Sequence, residues 1–266
     1  MTDQLFISHN RANAKLKLKN MLPYDLNRKY LPDYLPLSSS VNFVLRVIYI
    51  RLKYLISGFP AAMHHFKRRN IIFIHIPKNA GSSITQSLFQ SGLSHTSALY
   101  YKLIDKQSFE EMESFALFRD PVERFCSAFN YIKYHSKQAP NIYFRENHLQ
   151  QINSISELVA HMQSDLSFKS KLLLFPHFRS QSEFVCDSKG KIIVNQIGHL
   201  NHISQFTQAI SLHLKEEFGF DHINKSTAEK KINDADTIFI QSLYCKDLII
   251  EKMILESKDK VLRTYT

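Results

Sequence analysis

Cysteine is scarce and unpaired in this chain. Cys126, Cys186 and Cys245 stand about sixty residues apart among 266, with no CxxC pair. Such spacing predicts neither a disulfide framework nor a zinc site, and it suits a reducing compartment. Long uncharged runs are lacking as well. The greasiest stretch, VNFVLRVIYIRLKYLISGF (41–59), is broken by Arg46, Arg51 and Lys53, well short of the roughly 18 uncharged residues that a membrane-spanning helix wants. No apolar core follows a charged start in the first twenty residues, so a cleavable secretion signal is not expected. The expected location is cytoplasmic, with any membrane contact peripheral. Internal repeats, low-complexity tracts and His/Asp/Glu clusters with metal-ligand spacing are also missing, and no metal is expected.

What is present points to one sizeable core. With 44% hydrophobic residues the chain can bury a single main domain, and its length does not demand two. The charge is uneven. Residues 1–70 carry 12 Lys and Arg against 3 acidic residues, net +9, while 71–266 carry 22 against 21, net +1. Basicity is therefore a property of an N-terminal extension, 1–69, ahead of a domain at 70–266. Such an arm suits an anionic membrane surface, an acidic polymer or nucleic acid, or simply solubilises the chain. Within it, 41–59 reads as one amphipathic helix, with Asn42, Arg46, Tyr49 and Lys53 on a stripe. That helix either packs on the domain, the preferred reading, or lies in a membrane interface.

From residue 71 the elements alternate. IIFIHI (71–76), stopped by Pro77, reads as a strand buried on both faces, as in a parallel sheet. SITQSLFQSG predicts a helix ending at Gly92. FALF (115–118) is a second buried strand, leading into a helix with Asp120 as N-cap, Pro121 at N1 and Glu123 completing a capping box. SEFVCDSKGKIIVNQIG reads as a hairpin turning at 188–190, and INDADTIFIQSLYCKDLIIEKMI as one long C-terminal helix. The order predicts an α/β fold, a central parallel sheet with helices on both faces.

The strand-to-helix corner PKNAGSS (77–83) carries chemistry. Backbone N–H groups at a helix start point one way without partners, and the helix dipole adds partial positive charge, so the corner is ready for phosphate. Ala80, Gly81, Ser82 and Ser83 let an anion approach closely, and Lys78 adds a full charge. A nucleotide-hydrolysing loop, GxxxxGK[ST], would place lysine after the glycine; here it comes first. Arg119, at the end of the second strand, offers the planar fork that suits phosphate. Ser127 lies about 200° around the helix from Phe125, on the polar side.

HIPKNAGSS (75–83) resembles the 5′-phosphosulfate loop of the carbohydrate sulfotransferases, and LFRDPVERFCSAF (117–129) resembles their 3′-phosphate motif. Lys78 and Arg119 are 41 residues apart, and the motifs occur in the family's order. The likeness continues through LSHTSALYYK, PHFRSQSEFV, GKIIVNQIGHLNHISQF and INKSTAEKK, covering about 70–255. It implies a P-loop-like three-layer sulfotransferase fold and transfer of a sulfuryl group from 3′-phosphoadenosine-5′-phosphosulfate (PAPS) to a hydroxyl of a carbohydrate or glycolipid, without a metal. By that likeness Lys78, Asn79, Ala80, Gly81, Ser82 and Ser83 hold the 5′-phosphosulfate, and Arg119 and Ser127 the 3′-phosphate. The family most often has threonine where this chain has Asn79, and often at Ser83. Lys78 would also stabilise charge on the leaving phosphate, and a histidine would take the acceptor's proton. Of thirteen histidines, His95 is the first choice, because the family places its catalytic histidine between the two motifs. His177 in PHFRSQ is the second, and His75, inside the strand, reads as a hydrogen-bonded core residue.

Plainer readings apply elsewhere. Arg124 and Lys133 read as a solvated face, and NKS (224–226) as a polar loop, which keeps Lys225 off the site. The alternatives to a sulfotransferase are a nucleotide-dependent kinase of similar fold and a non-catalytic anion-binding protein. Nucleic acid is not the expected partner; the basic arm suits an anionic membrane surface instead.

Overall fold

The computed structural model describes residues 61–220 and 232–264. The expectations for the basic arm before residue 61, its helix at 41–59, the NKS loop and Lys225 fall outside the described residues. Among those described, no helix is long and apolar enough to cross a membrane.

The first strand, β1 (Ile71–Ile74), is preceded by helix α1 (Ala61–Arg69) and followed through a corner by α2 (Gly81–Phe89). Two short helices, α3 (Ala98–Ile104) and α4 (Lys106–Glu111), then lead to β2 (Glu113–Phe118) and α5 (Pro121–Asn130). A π-turn at Tyr131–His135 extends α5. Helices α6 (Ala139–His148), α7 (Ile155–Ser164) and α8 (Leu166–Leu174) follow, then the single turn α9 (Ser182–Val185). The described chain ends with β3 (Gln196–His199), α10 (Ile203–Leu214), α11 (Asp234–Leu243), α12 (Cys245–Glu256) and β4 (Val261–Arg263).

The four strands form one sheet in the order β1-β2-β3-β4, the first three parallel and β4 antiparallel to β3. The fold is therefore α/β with a mostly parallel sheet. β1 is buried along its whole length and β2 nearly so, as continuous apolar runs in a covered parallel sheet require. Successive strand residues face opposite ways. Phe206 of α10 presses on Gly198 and meets the rings of Phe73 and Phe115, whereas Glu251 of α12 bonds to the next residue, His199. Helices α10 and α12 thus flank the sheet. A second apolar cluster joins α5 to α6, α7, α8 and α11, with Phe125 edge-on to Phe178 and Phe144 stacked on Phe175.

Several local expectations change. The packed core reaches back before residue 70, because Met63 and Phe66 of α1 are buried and Phe66 meets Phe89 and Tyr101. Helix α2 stops at Gln90, itself in the left-handed conformation, two residues before Gly92. The hairpin reduces to one bridge, Cys186 to Ile192, around a turn where Gly190 has φ 82°. SEFV makes a helical turn, while QIGH joins β2 in parallel. The long C-terminal helix is two helices, broken where Tyr244 turns inward and its hydroxyl donates to the Phe178 carbonyl at 2.6 Å.

Candidate anion-binding and proton-transfer site

Because β1 and β2 are parallel neighbours, with Ile74 opposite Ala116, their C-terminal ends open at the same edge of the sheet. Ligand sites of open α/β sheets lie at that edge. Here each strand ends in a corner carrying one cation, Lys78 after β1 and Arg119 after β2.

The first corner is conformationally costly. Lys78 has φ 70° and Ala80 φ 57°, a left-handed backbone that residues with a Cβ rarely adopt and that concentrates at functional sites. The turn sends the chain directly into α2. Ser83 and Ile84 donate their N–H groups to the Ala80 carbonyl. The N–H groups of Ala80, Gly81 and Ser82 bond to nothing among the described residues, and the hydroxyls of Ser82 and Ser83 are equally unengaged. Gly81 is needed for a reason beyond anion access: a Cβ there would lie 2.0 Å from the His75 ring. Asn79 is turned inward, 1% exposed, with Nδ2 donating to the Leu117 carbonyl at 2.7 Å and to Gln181 Oε1 at 2.6 Å. Its side chain serves the junction of the corners, and its Oδ1 is buried without a partner.

The Lys78 ammonium lies 3.8 Å from the centre of the Tyr131 ring, on the π-turn. Burial, helped by the nearby Arg119 charge, lowers its pKa to about 8. It is still mostly charged at neutral pH, and two crowded cations favour an arriving anion.

The second corner follows the sequence reading in its N-cap and its opening proline. Asp120 accepts from the Glu123 N–H at 2.7 Å and Pro121 opens α5. Glu123 also receives Arg119 Nε at 3.4 Å. Arg119 Nη1 donates to the Lys78 carbonyl at 3.3 Å, so the two corners touch. Ser127 is half-buried one turn further along, and its hydroxyl bonds to no described residue.

Three histidines gather beside Lys78. The rings of His75 and His95 lie 4.3 Å apart and those of His95 and His177 5.4 Å apart, and His177 is 5.2 Å from Tyr131. His75 holds the Leu93 carbonyl through Nδ1 at 2.9 Å. It is the core histidine the sequence suggested, and burial lowers its pKa to about 4. His95 is half-buried and contacts the His75 carbonyl through Nδ1 at 3.2 Å. A carbonyl only accepts, so Nδ1 carries the hydrogen and Nε2 carries the lone pair. That Nε2 has no hydrogen bond in the described protein. Lost hydration, then His75 and His177, hold the His95 pKa well below its usual value. His177 is buried, with Nε2 3.4 Å from the Asn141 amide and Nδ1 unpartnered; burial and then Lys78 lower its pKa to about 3.

The loop that delivers His177 is pinned by residues that sequence reasoning placed elsewhere. Arg124 is fully buried, not part of a solvated face, and donates to the carbonyls of His177 and Arg179. Its guanidinium also lies over the Tyr244 ring, 5.6 Å from the centre. Lys133 likewise is engaged, capping the Leu149 and Gln150 carbonyls at 2.8 and 3.1 Å. Gln181, which the sequence reading held only as part of the family-like PHFRSQ stretch and gave no role of its own, accepts from Arg119 N–H at 3.1 Å and donates to the Arg119 carbonyl at 2.7 Å. The only advance signal was its place in PHFRSQ beside His177.

Among the described residues no group of His, Cys, Asp and Glu is arranged to hold a metal ion. Comparison with protein-family models, with curated proteins and with solved structures finds no match to this chain.

Proposed function

We propose that the chain is a sulfotransferase that moves a sulfuryl group from PAPS to a hydroxyl of a carbohydrate or glycolipid acceptor. One observation carries this reading: two strand-end corners, each with a cation, meet through Arg119 and the Lys78 carbonyl, with a histidine offering a free lone pair beside them. Phosphates spaced across an adenosine would engage both corners, and the motif resemblance supports the same assignment.

The residues fit such a donor. The unpartnered N–H groups of Ala80, Gly81 and Ser82, the hydroxyls of Ser82 and Ser83 and the Lys78 ammonium suit its 5′ end. Arg119, with the unengaged hydroxyl of Ser127, suits the 3′-phosphate. The donor supplies an activated sulfuryl group. The protein holds it in line, concentrates positive charge where negative charge grows, and takes a proton from the acceptor. His95 is the base, because its Nδ1 is committed to the His75 carbonyl and Nε2 is free. Its pKa in the ligand-free site is low for a base; a bound polyanion raises it toward the working range. Lys78 stabilises the negative charge that grows on the leaving phosphate oxygen as its bond to sulfur breaks. The basic N-terminal region would draw the enzyme to an anionic membrane surface.

The test is transfer of labelled sulfate from PAPS onto a panel of glycans and glycolipids. Wild type should label at least one acceptor and His95→Ala should lose the signal. Equal labelling by the two proteins would remove His95 as base, and no labelling of any acceptor by wild type would count against the reaction.

A further inference from the structure

Besides the contact of Arg119 with the Lys78 carbonyl, the two corners share one buried side chain that belongs to neither of them. We infer that Gln181 is a positioning residue that sets the distance and orientation between the two anion corners, and thereby the preference for a nucleotide carrying a 3′-phosphate. The inference rests on the sulfotransferase reading for the identity of the ligand, and on the following geometry for its substance.

Gln181 has no exposed surface. Its carboxamide grips one residue by both backbone groups, taking the Arg119 N–H on Oε1 at 3.1 Å and giving Nε2 to the Arg119 carbonyl at 2.7 Å. These contacts fix which end of the amide is oxygen. The same Oε1 accepts Asn79 Nδ2 at 2.6 Å, and that nitrogen also reaches the Leu117 carbonyl. One amide therefore links Asn79, between Lys78 and Ala80 in the first corner, to Arg119, the head of the second. Geometry of this kind decides whether one rigid ligand can satisfy both corners at once.

Gln181 is itself anchored from the far side. Its N–H and that of Ser182 donate to the two oxygens of Asp247 at 2.7 and 2.8 Å, and the Ser180 hydroxyl donates to the same carboxylate. Asp247, on α12, is fully buried. A buried carboxylate is tolerated when donors surround it, and here three donors from successive residues make it a fixed post. The chain of support runs from α12 through Asp247 and Gln181 to both corners, and Arg124 holds the preceding stretch by the carbonyls of His177 and Arg179.

Positioning predicts a specific signature. Gln181→Glu keeps an acceptor for Asn79 and the Arg119 N–H but loses the donor to the Arg119 carbonyl and sets a negative oxygen against it. Arg119 then shifts relative to Lys78. Affinity for a nucleotide with only a 5′-phosphate should change little, whereas the advantage conferred by a 3′-phosphate should shrink.

The experiment is calorimetric titration of full-length wild type, Gln181→Glu and Asp247→Asn with adenosine 5′-phosphate and with adenosine 3′,5′-bisphosphate. The readout is the ratio of the two dissociation constants. An unfolded fraction lowers the fitted stoichiometry and leaves that ratio intact. Wild type should prefer the bisphosphate. Gln181→Glu should reduce the preference by about tenfold, the effect of one lost hydrogen bond to a buried group. Asp247→Asn, which leaves the Gln181 amide itself unchanged but loses one of the acceptors that anchor it, should reduce it by about threefold. An unchanged ratio in the variants, whether both affinities hold or fall together, overturns the inference. A wild type without preference for the bisphosphate removes the underlying reading and the inference with it, and is recognised without any variant.

Discussion

Gly81→Ala puts the packing of the corner to a test in which two effects of opposite sign compete. Gly81 opens α2 and its φ is not positive, so the backbone itself would welcome alanine, by at most about 1 kcal/mol. Against that, the new Cβ would sit 2.0 Å from His75 Cδ2, 2.5 Å from Nε2 and 2.9 Å from Cγ. The ring cannot step aside easily, because Nδ1 is tied to the Leu93 carbonyl at 2.9 Å and the His95 ring lies 4.3 Å away. Forcing a methyl into such a packed site costs about 1–3 kcal/mol, and contacts this short belong at the upper end. The clash should win by about 2 kcal/mol, which for a domain of this size lowers the melting temperature by about 4–8 °C. Scanning calorimetry reads this directly. In a His75→Ala background the obstacle is gone, and the same substitution should become neutral or stabilising. A melting temperature that stays level or rises for Gly81→Ala with His75 in place would refute the reasoning.

Other outcomes follow from the buried charges. Arg124→Met should destabilise by about 2–4 kcal/mol in urea unfolding, because the His177 and Arg179 carbonyls lose their donor; a cost under about 0.5 kcal/mol would contradict its placement. His75 and His177 have folded pKa values of about 4 and about 3 against 6.5 unfolded. The unfolded chain therefore binds more protons below pH 6.5, and stability falls as pH drops from about 6.5 toward 4, by up to about 1.4 kcal/mol per unit for each histidine. His177→Gln should flatten that slope in denaturant titrations at pH 4.5–6.5, and an identical slope would count against a neutral buried His177. The Lys78 pKa of about 8 in the free protein means that affinity for a nucleotide bisphosphate should weaken as pH rises through 8 and above. Lys78→Arg should bind with a flatter pH profile, and matching profiles would show that Lys78 is not the titrating cation.

The legible parts of the fold are those in which local signal and burial agree. β1 and β2 are short apolar runs stopped by Pro77 and by Asp120-Pro121, so strand, corner and helix can be read directly from residues 71–130. The corners' cations could be named for the same reason. The rest depends on contacts far apart in sequence. Arg124 looks solvated within its own helix, and only the carbonyls at 177 and 179, more than fifty residues later, reveal a buried cation. The apolar periodicity of 234–256 runs through Tyr244 without interruption; the break comes from its hydroxyl reaching Phe178. Gln181 stood in a stretch already marked by the resemblance, but its role was not legible there, because it lies in an amide that meets Arg119 and Asn79 together. The clustering of His75, His95 and His177 was equally hidden, although each histidine stood in a stretch already singled out.

The central claim is that the Lys78 and Arg119 corners grip one adenosine bearing phosphates at both ends of its ribose. Thermal-shift titration with adenosine 3′,5′-bisphosphate, beside ATP with magnesium, tests it most directly. At one hundred times its dissociation constant a ligand adds about 2.7 kcal/mol of stability. The account predicts a clear rise with the bisphosphate, a much smaller one with ATP and magnesium, and loss of the bisphosphate effect in Arg119→Ala. A larger shift with ATP, or an undiminished bisphosphate shift in Arg119→Ala, would contradict it.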